Sequence, residues 1–276
     1  MDNKNESKSL RFLYKTSVGR AVLKVLTCRG VSKLCGAFLD SRASKFLIKG
    51  FVKNNGIDLS EYETAEYKNF NQFFSRKIKP ENRPIDMSPN VLISPCDGLL
   101  SAYKITDGLV LPVKQSKYTV DGLLQNKELA QKYNNGLCLV FRLCVNHYHR
   151  YCYVDNGKKG DNFFIKGKLH TVRPIALGEV PVFTENCREY TVMETENFGT
   201  VTEVEVGAML VGKISNNHKT VEFFRGDEKG KFLYGGSTII LLLSEDEVSL
   251  CDEILENTQN NIETPIKMGQ PIGYKK

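Results

Sequence analysis

Hydrophobic positions near the start of the chain repeat at the spacing of amphipathic helices. One stripe follows the i, i+3, i+4, i+7 pattern and comprises Val31, Leu34, Cys35 and Phe38. A second stripe runs from Ala43 to Phe51. Residues at this spacing share one helix face, so we predict two helices. We expect Asp40 or Ser41 to cap the second helix and Asn54-Asn55-Gly56 to end it.

Beyond these helices the pattern changes twice. Ser60-x-x-Glu63 has the form of a capping box and predicts a helix that continues through Phe74. From about Val91, short alternating or apolar runs are separated by turn dipeptides. These dipeptides include Asp97-Gly98, Asp107-Gly108, Asp121-Gly122, Asn135-Gly136, Asn156-Gly157, Gly226-Asp227 and Gly235-Gly236. We therefore predict an α+β protein with a mainly antiparallel β body, a sandwich or a distorted barrel.

Positive charge is concentrated in the helical segment, which we delimit as residues 1–60 and distinguish from a β domain of residues 61–276. The chain carries a net charge of +6, but residues 8–53 hold eleven Lys or Arg side chains against one acid, Asp40. Basic amphipathic helices are typical of a surface that lies on anionic lipid. An ordinary helical layer with solvated basic faces is an equal alternative, whereas sparse aromatic residues disfavour nucleic acid.

Composition narrows the class of protein. Hydrophobic residues make up 41% of the chain and charged residues 25%, values typical of a folded soluble protein. The eight cysteines form no Cys-x-x-Cys pair, which argues against a zinc knuckle or a thioredoxin-type motif and suits a reducing cytosol. The longest aliphatic run, Ile239 to Leu243, is too short to span a bilayer. Any membrane association is expected to be peripheral.

Three short segments could carry chemistry. His147 and His149 follow an apolar run and share one face of an extended strand, although a structural role is the commoner one for such a pair and a metal site would need a third ligand. Asp97-Gly98 has the form of an ordinary turn. In Gly235-Gly236-Ser237 the glycines permit strained dihedral angles, which suits attack of the hydroxyl on the preceding carbonyl, but a simple turn into a strand is the default.

These segments occur in the order found in phosphatidylserine decarboxylases, and the similarity extends from about residue 65 to 243. The matching motifs are Phe73-Phe74-x-Arg76, Arg83-Pro84-Ile85, Ser94-Pro95-x-Asp97-Gly98, Tyr148-His149-Arg150, Val182-Phe183-Thr184-Glu185-Asn186, Val206-Gly207-Ala208-x-x-Val211-Gly212, Gly226-Asp227-Glu228-x-Gly230-x-Phe232 and Gly236-Ser237-Thr238. So many ordered motifs identify the chain as resembling this family.

The resemblance implies a self-cleaving proenzyme. Ser237 would attack the carbonyl of Gly236, and elimination and hydrolysis would leave a covalent pyruvoyl group in place of Ser237. The products would be associated chains of residues 1–236 and 237–276. The pyruvoyl group would form a Schiff base with phosphatidylserine and accept the electrons released as CO₂ leaves, so that phosphatidylethanolamine forms without a metal or a separate cofactor.

The resemblance also assigns residues, with one departure. Asp97 matches the acid that orients the histidine base. The family commonly shows Asp-Tyr-His-Arg-x-His, whereas here His147 replaces the aspartate and Cys152 the second histidine, which is the usual base. A thiol with an ordinary pKa is mostly protonated. We therefore assign the self-cleavage base and the proton donor to His149, with Cys152 and His147 as alternatives for the base.

Partners and rival functions follow from the same resemblance. We expect phosphatidylserine and an anionic surface as partners, a peripheral position on the cytoplasmic face of the cell membrane, no nucleic acid and, as the family suggests, a homodimer. A pyruvoyl decarboxylase acting on a soluble amino acid is the nearest rival. A lipid-binding β module that has lost its chemistry is the other.

Overall fold

The computed structural model describes residues 8–106, 109–113, 116–209, 213–217, 221–235 and 237–276. Gly236 of the predicted cleavage site lies outside the described residues, as do Val211-Gly212 of one motif and the Asp107-Gly108 dipeptide.

Helices occupy the N-terminal segment and connect the strands that follow. Their bounds are α1 (Lys8–Lys15), α2 (Ser17–Leu26), α3 (Arg29–Asp40), α4 (Leu47–Asn55), α5 (Phe70–Phe74), α6 (Val120–Leu124), α7 (Lys127–Gln131), α8 (Pro174–Leu177), α9 (Val182–Glu185) and α10 (Asp252–Gln259). Gly56 ends α4 with a φ of 61°, as the sequence predicts. Neither expected cap is present, because the Ser41 hydroxyl donates instead to the Phe38 carbonyl and a 3₁₀ turn (Arg42–Phe46) precedes α4.

The helix predicted from Ser60 through Phe74 is wrong. Asp58 accepts a hydrogen bond from the Ser60 backbone and caps only a 3₁₀ turn, Leu59–Glu61. Tyr62 is buried and forms a bridge with Ile78, which holds the backbone extended. The Asn69 side chain then caps the short helix α5 by accepting from the Gln72 backbone.

Strands dominate the remainder of the described chain. Their bounds are β1 (Val91–Ile93), β2 (Gly98–Lys104), β3 (Leu109–Val113), β4 (Ser116–Thr119), β5 (Leu137–Leu143), β6 (Arg150–Cys152), β7 (Gly157–Ile165), β8 (Arg188–Thr195), β9 (Thr200–Val206), β10 (Ile214–Asn216), β11 (Glu222–Phe223), β12 (Glu228–Phe232), β13 (Ser237–Leu243), β14 (Val248–Leu250), β15 (Thr264–Ile266) and β16 (Pro271–Lys275).

Antiparallel pairing confirms the predicted α+β class. Among the described residues, eight strands form one sheet in the order β11-β7-β8-β9-β13-β5-β2-β15. Smaller sheets have the orders β10-β12-β6, β1-β16-β14 and β3-β4. Strand β13 lies in the large sheet between β9 and β5, so both of its edges are paired.

The apolar run of β13 forms core on both faces of the large sheet. Ile240 and Leu242 pack with α1, α2 and α6 to α9, whereas Ile239 and Leu241 pack towards β1, β6 and β16. Each buried side chain of this size contributes about 1.5–3 kcal/mol. Because alternate residues of a strand share a face, Ser237 points to the same side as Ile239, towards β6. A third, aromatic cluster joins α4 to α5.

Candidate active site

Ser237 is the first residue of β13. It pairs with Leu143 of β5, and its side chain is fully buried. The Oγ atom has no hydrogen-bond partner among the described residues. An unsatisfied buried hydroxyl costs about 1–3 kcal/mol, which is characteristic of a site where a side chain serves chemistry instead of stability.

His149 lies directly before β6 and is also fully buried. Its Nδ1 lies 2.9 Å from the carbonyl oxygen of His147, so Nδ1 carries the proton and donates it. Nε2 therefore carries the basic lone pair, and it makes no regular hydrogen bond within the described part of the chain. Burial lowers the pKa of His149 to about 3, an effect that the backbones of His147 and Gly235 partly oppose. At neutral pH the ring is an unprotonated base.

Aromatic contacts connect His149 to the segment that precedes Ser237. The ring of Phe74 lies 4.2 Å from that of His149 and 5.3 Å from that of Tyr234, measured between centroids. The Tyr234 backbone donates to the Asn71 side chain at 3.4 Å. Gly235, the next residue, has a φ of 123°, a conformation that side chains rarely permit. Helix α5 thus contacts both His149 and the segment that leads into Ser237.

Asp97 is bound by arginine and not by His149. The Arg83 guanidinium donates to its two oxygens, at 2.8 and 2.6 Å, and the Met268 backbone donates at 2.9 Å. No hydrogen bond joins Asp97 to His149 in the described residues. Burial lowers the pKa of His147, and among the nearby charges Asp97 opposes this most strongly. The structure thus brings Asp97 together with His147 and Arg83.

His147 is half-buried, and its proton position is also defined. Its Nδ1 accepts a hydrogen bond from the Cys144 backbone at 3.2 Å, so its proton lies on Nε2 in the neutral ring. The side chain lines a surface cavity together with Asp97 and Arg83. His147 therefore faces solvent on the side of the site where Asp97 lies.

Cys152 ends β6 and is fully buried. Burial raises the pKa of its thiol, and the charge of Glu203 adds to the shift. The Cys152 backbone donates to the Pro95 carbonyl at 2.9 Å, which ties β6 to the turn that contains Asp97. At neutral pH the side chain is a thiol and a poor base.

Sequence reasoning missed two arginines and one aromatic partner. Arg83 and Arg76 both occur in quoted motifs, but Arg83 is 14 residues from Asp97 in the sequence, so their ion pair has no local signal. Arg76 is buried and packs over the Tyr62 ring, 4.0 Å from its centroid. Nothing in the spacing connects Tyr234 with Phe74.

No cluster of three or more His, Cys, Asp or Glu side chains able to hold a metal occurs in the described ranges.

Comparison with known proteins identifies the family of this chain. The family model described as phosphatidylserine decarboxylase matches residues 70–274. Phosphatidylserine decarboxylase proenzyme 2 of Clostridium acetobutylicum is 46% identical over 96% of this chain and 91% of its own length. The phosphatidylserine decarboxylase proenzymes of Clostridium botulinum (strain Langeland) and Ruminiclostridium cellulolyticum are each 42% identical, over 98% and 96% of this chain and 93% and 90% of their own lengths. The chain therefore belongs to the phosphatidylserine decarboxylase family of enzymes.

Proposed function

We propose that this protein decarboxylates phosphatidylserine to phosphatidylethanolamine, using a pyruvoyl group made from Ser237 by cleavage after Gly236. The observation that carries the proposal is a complementary pair of unsatisfied atoms. The Ser237 Oγ can donate a proton, the His149 Nε2 can accept one, and both are fully buried without another partner among the described residues. Family membership supplies the substrate.

Self-cleavage would proceed in three steps. His149 takes the proton of the Ser237 Oγ, which bonds to the Gly236 carbonyl carbon. The peptide C–N bond then breaks as His149 passes that proton to the departing nitrogen, which gives an ester and a free amine. Loss of the Ser237 Cα proton then breaks the Cβ–O bond and releases the Gly236 carboxylate. The resulting enamine takes up water and loses ammonia, so an α-keto group ends the second chain. Gly235 adopts a φ of 123°, which a residue with a side chain rarely permits, and so sets the course of the backbone that leads into the bond to be cleaved.

We assign the base to His149 because its ring is neutral at physiological pH and its Nε2, which is bonded to no described residue, is available to accept a proton. The Gly235 backbone affects the pKa of His149, which supports a position of the ring close to the segment to be cleaved. Cys152 is held as a thiol by burial. His147 lies with Asp97 at the solvent-facing cavity. These two remain the alternatives.

The two products would stay together. Strand β13 belongs to the chain of residues 237–276, yet it lies between β9 and β5, both in the other chain. The Arg142 guanidinium of β5 also forms an ion pair with Glu263 of the shorter chain. Cleavage at the end of β13 leaves these contacts intact.

The keto group, once formed, supplies a sink for the electrons that the departing carboxylate leaves behind. The chain's own residues would position the substrate, exclude water and supply a proton. Each turnover replaces a carboxylate by hydrogen and so consumes one proton. We assign delivery of that proton to His149, which is buried against the Phe74 ring. Its Nε2 is unprotonated at rest, so it would first take a proton from the substrate ammonium as the amine is freed and then return it.

The N-terminal segment supports a membrane surface as partner. Several apolar side chains of α1 to α3 and of the following turn are exposed, whereas Tyr14, Leu23 and Leu39 of the same helices are buried. Leu34 is 75% exposed and Phe46 71%, and Phe12, Val18 and Val25 are also exposed. These residues belong to the segment in which Lys and Arg side chains outnumber acidic ones. No helix in the described ranges is long and apolar enough to cross a bilayer. We propose that residues 1–60 bind anionic lipid peripherally, on the cytoplasmic face.

Two measurements on the purified protein test the function. Denaturing electrophoresis should resolve chains of residues 1–236 and 237–276, and mass spectrometry of the shorter chain should show a keto group in place of an amino terminus. Phosphatidylserine in mixed micelles should yield phosphatidylethanolamine, and free serine should not react. An uncleaved, inactive wild-type protein would refute the proposal. Ser237→Ala, which lacks the nucleophile, is the negative control.

A further inference from the structure

A cavity of about 380 Å³ lies beside the segment that leads into Ser237. Helix α3 forms one wall with Leu39, and Leu233 and Tyr234 form another. Cavities of this volume are typical of small-ligand sites. Tyr234 lies two residues before Gly236, so a ligand here would lie next to the chain that is cleaved.

Two lysines give this cavity a positive lining. Lys33 belongs to α3, and Lys213 precedes β10. Neither forms an ion pair with any described residue. Asp40 is the one acid among the lining residues, and it already accepts a hydrogen bond from the Asn71 side chain at 2.9 Å. The lining therefore carries a net charge of +1.

An unsatisfied hydroxyl also lines the cavity. Ser32 is only 4% exposed, and its Oγ has no hydrogen-bond partner in the described part of the chain. Such a group is costly unless a ligand binds it. Two ammonium groups and a hydroxyl that have no partner among the described residues are together complementary to the oxygens of an anion.

We propose that this cavity binds the phosphodiester of the aminophospholipid substrate, with Lys33 and Lys213 pairing with its oxygens and Ser32 donating a hydrogen bond. The inference rests on the proposed function, which supplies the lipid. Charges match, because a phosphatidylserine headgroup carries two negative charges and one positive charge, and the cavity carries the reverse.

The phosphate is a better partner for the lysines than the carboxylate. Decarboxylation removes the carboxylate charge, so a cation bound to it would stabilise the ground state and slow the reaction. The phosphodiester keeps its charge throughout and is bound equally in the ground and transition states. Loss of either lysine should therefore raise KM and leave kcat nearly unchanged.

Binding can be measured without chemistry in the uncleaved Ser237→Ala protein. Titration calorimetry with dihexanoyl-phosphatidylserine below its micelle concentration should show about tenfold weaker binding after Lys33→Ala or Lys213→Ala. Lys213→Arg should retain most of the affinity. Lys49→Ala, an exposed lysine of α4 outside the cavity, is the matched control and should bind as the parent does. Inorganic phosphate should compete only weakly, and phosphate binding as tight as that of the lipid would overturn the lipid assignment.

Kinetics of the self-cleaved protein give the second readout. With the same soluble lipid, Lys33→Ala and Lys213→Ala should each raise KM about tenfold and change kcat less than twofold. Unchanged affinity and KM in both variants would overturn the phosphate site. Failure of the proposed function would look different, because the wild-type protein would then lack decarboxylase activity while the calorimetry still decides whether the cavity binds the phosphodiester.

Discussion

Arg83 donates hydrogen bonds to both carboxylate oxygens of Asp97, at 2.8 and 2.6 Å. This geometry fixes the carboxylate in the plane of the guanidinium and compensates its charge. The Met268 backbone, which would belong to the shorter chain after cleavage, donates to the same carboxylate. Asp97 therefore contacts both prospective chains, and the histidine whose pKa its charge raises is His147.

Replacing Asp97 by asparagine should slow self-cleavage without abolishing it. Asp97→Asn keeps an acceptor for Met268 but leaves the buried Arg83 charge with only the longer Glu61 ion pair, so the turn beside β6 should shift. We expect a tenfold to hundredfold slower appearance of the shorter chain on denaturing gels. Glu61→Gln is the control, because Glu61 contacts Arg83 only at 3.5 Å and is more exposed. Equal rates for Asp97→Asn and the wild type would remove Asp97 from the reaction.

Removing the imidazole of His149 should have the largest effect of any single change other than Ser237→Ala. His149→Ala should slow self-cleavage at least a hundredfold, since general-base catalysis contributes about 10²–10⁴. Cys152→Ser should cleave at nearly the wild-type rate, because the buried thiol is protonated in any case. Time courses of cell-free synthesis followed on gels provide the rates. Fast cleavage of His149→Ala with arrest of Cys152→Ser would reverse the assignment.

The pH dependence of self-cleavage distinguishes the same candidates. Burial lowers the pKa of His149 to about 3, so its ring stays unprotonated and active as a base well below pH 6. We therefore expect a nearly constant cleavage rate between pH 8 and pH 5. An ordinary histidine, with a pKa near 6.5, would lose about thirtyfold by pH 5. A thiolate base at Cys152 would instead make the rate climb with alkaline pH, because burial raises the pKa of that thiol.

Sequence pattern predicted the elements that depend on local chemistry. The apolar run from Ile239 to Leu243 is a buried strand because its side chains fill both faces of a sheet, and Gly56 ends a helix because it adopts a positive φ. The capping box at Ser60 failed because a distant pairing, between Tyr62 and Ile78, outweighed local preference. Such a pairing has no signal within a short window of sequence.

In the candidate site, too, local sequence signals were predictive and long-range contacts were not. Ser237, His149 and Asp97 could be found from motifs, but the partners of each depend on how remote segments fold together. The tautomer of His149 follows from the carbonyl of His147, and the contact of Phe74 with Tyr234 spans 160 residues. The sequence expectation that Asp97 orients His149 directly has no hydrogen bond to support it in the described residues.

Membrane binding should depend on exposed apolar side chains of the N-terminal segment. Leu34→Glu and Phe46→Glu change residues that are 75% and 71% exposed, so they should leave the fold intact and weaken co-sedimentation with phosphatidylserine-containing liposomes at least fivefold. Met87→Glu alters a comparably exposed apolar residue outside this segment and should have no effect. Salt at about 0.5 M should weaken binding of the wild-type protein, because it screens the basic charges. Full binding of both variants would place the lipid contact elsewhere on the molecule.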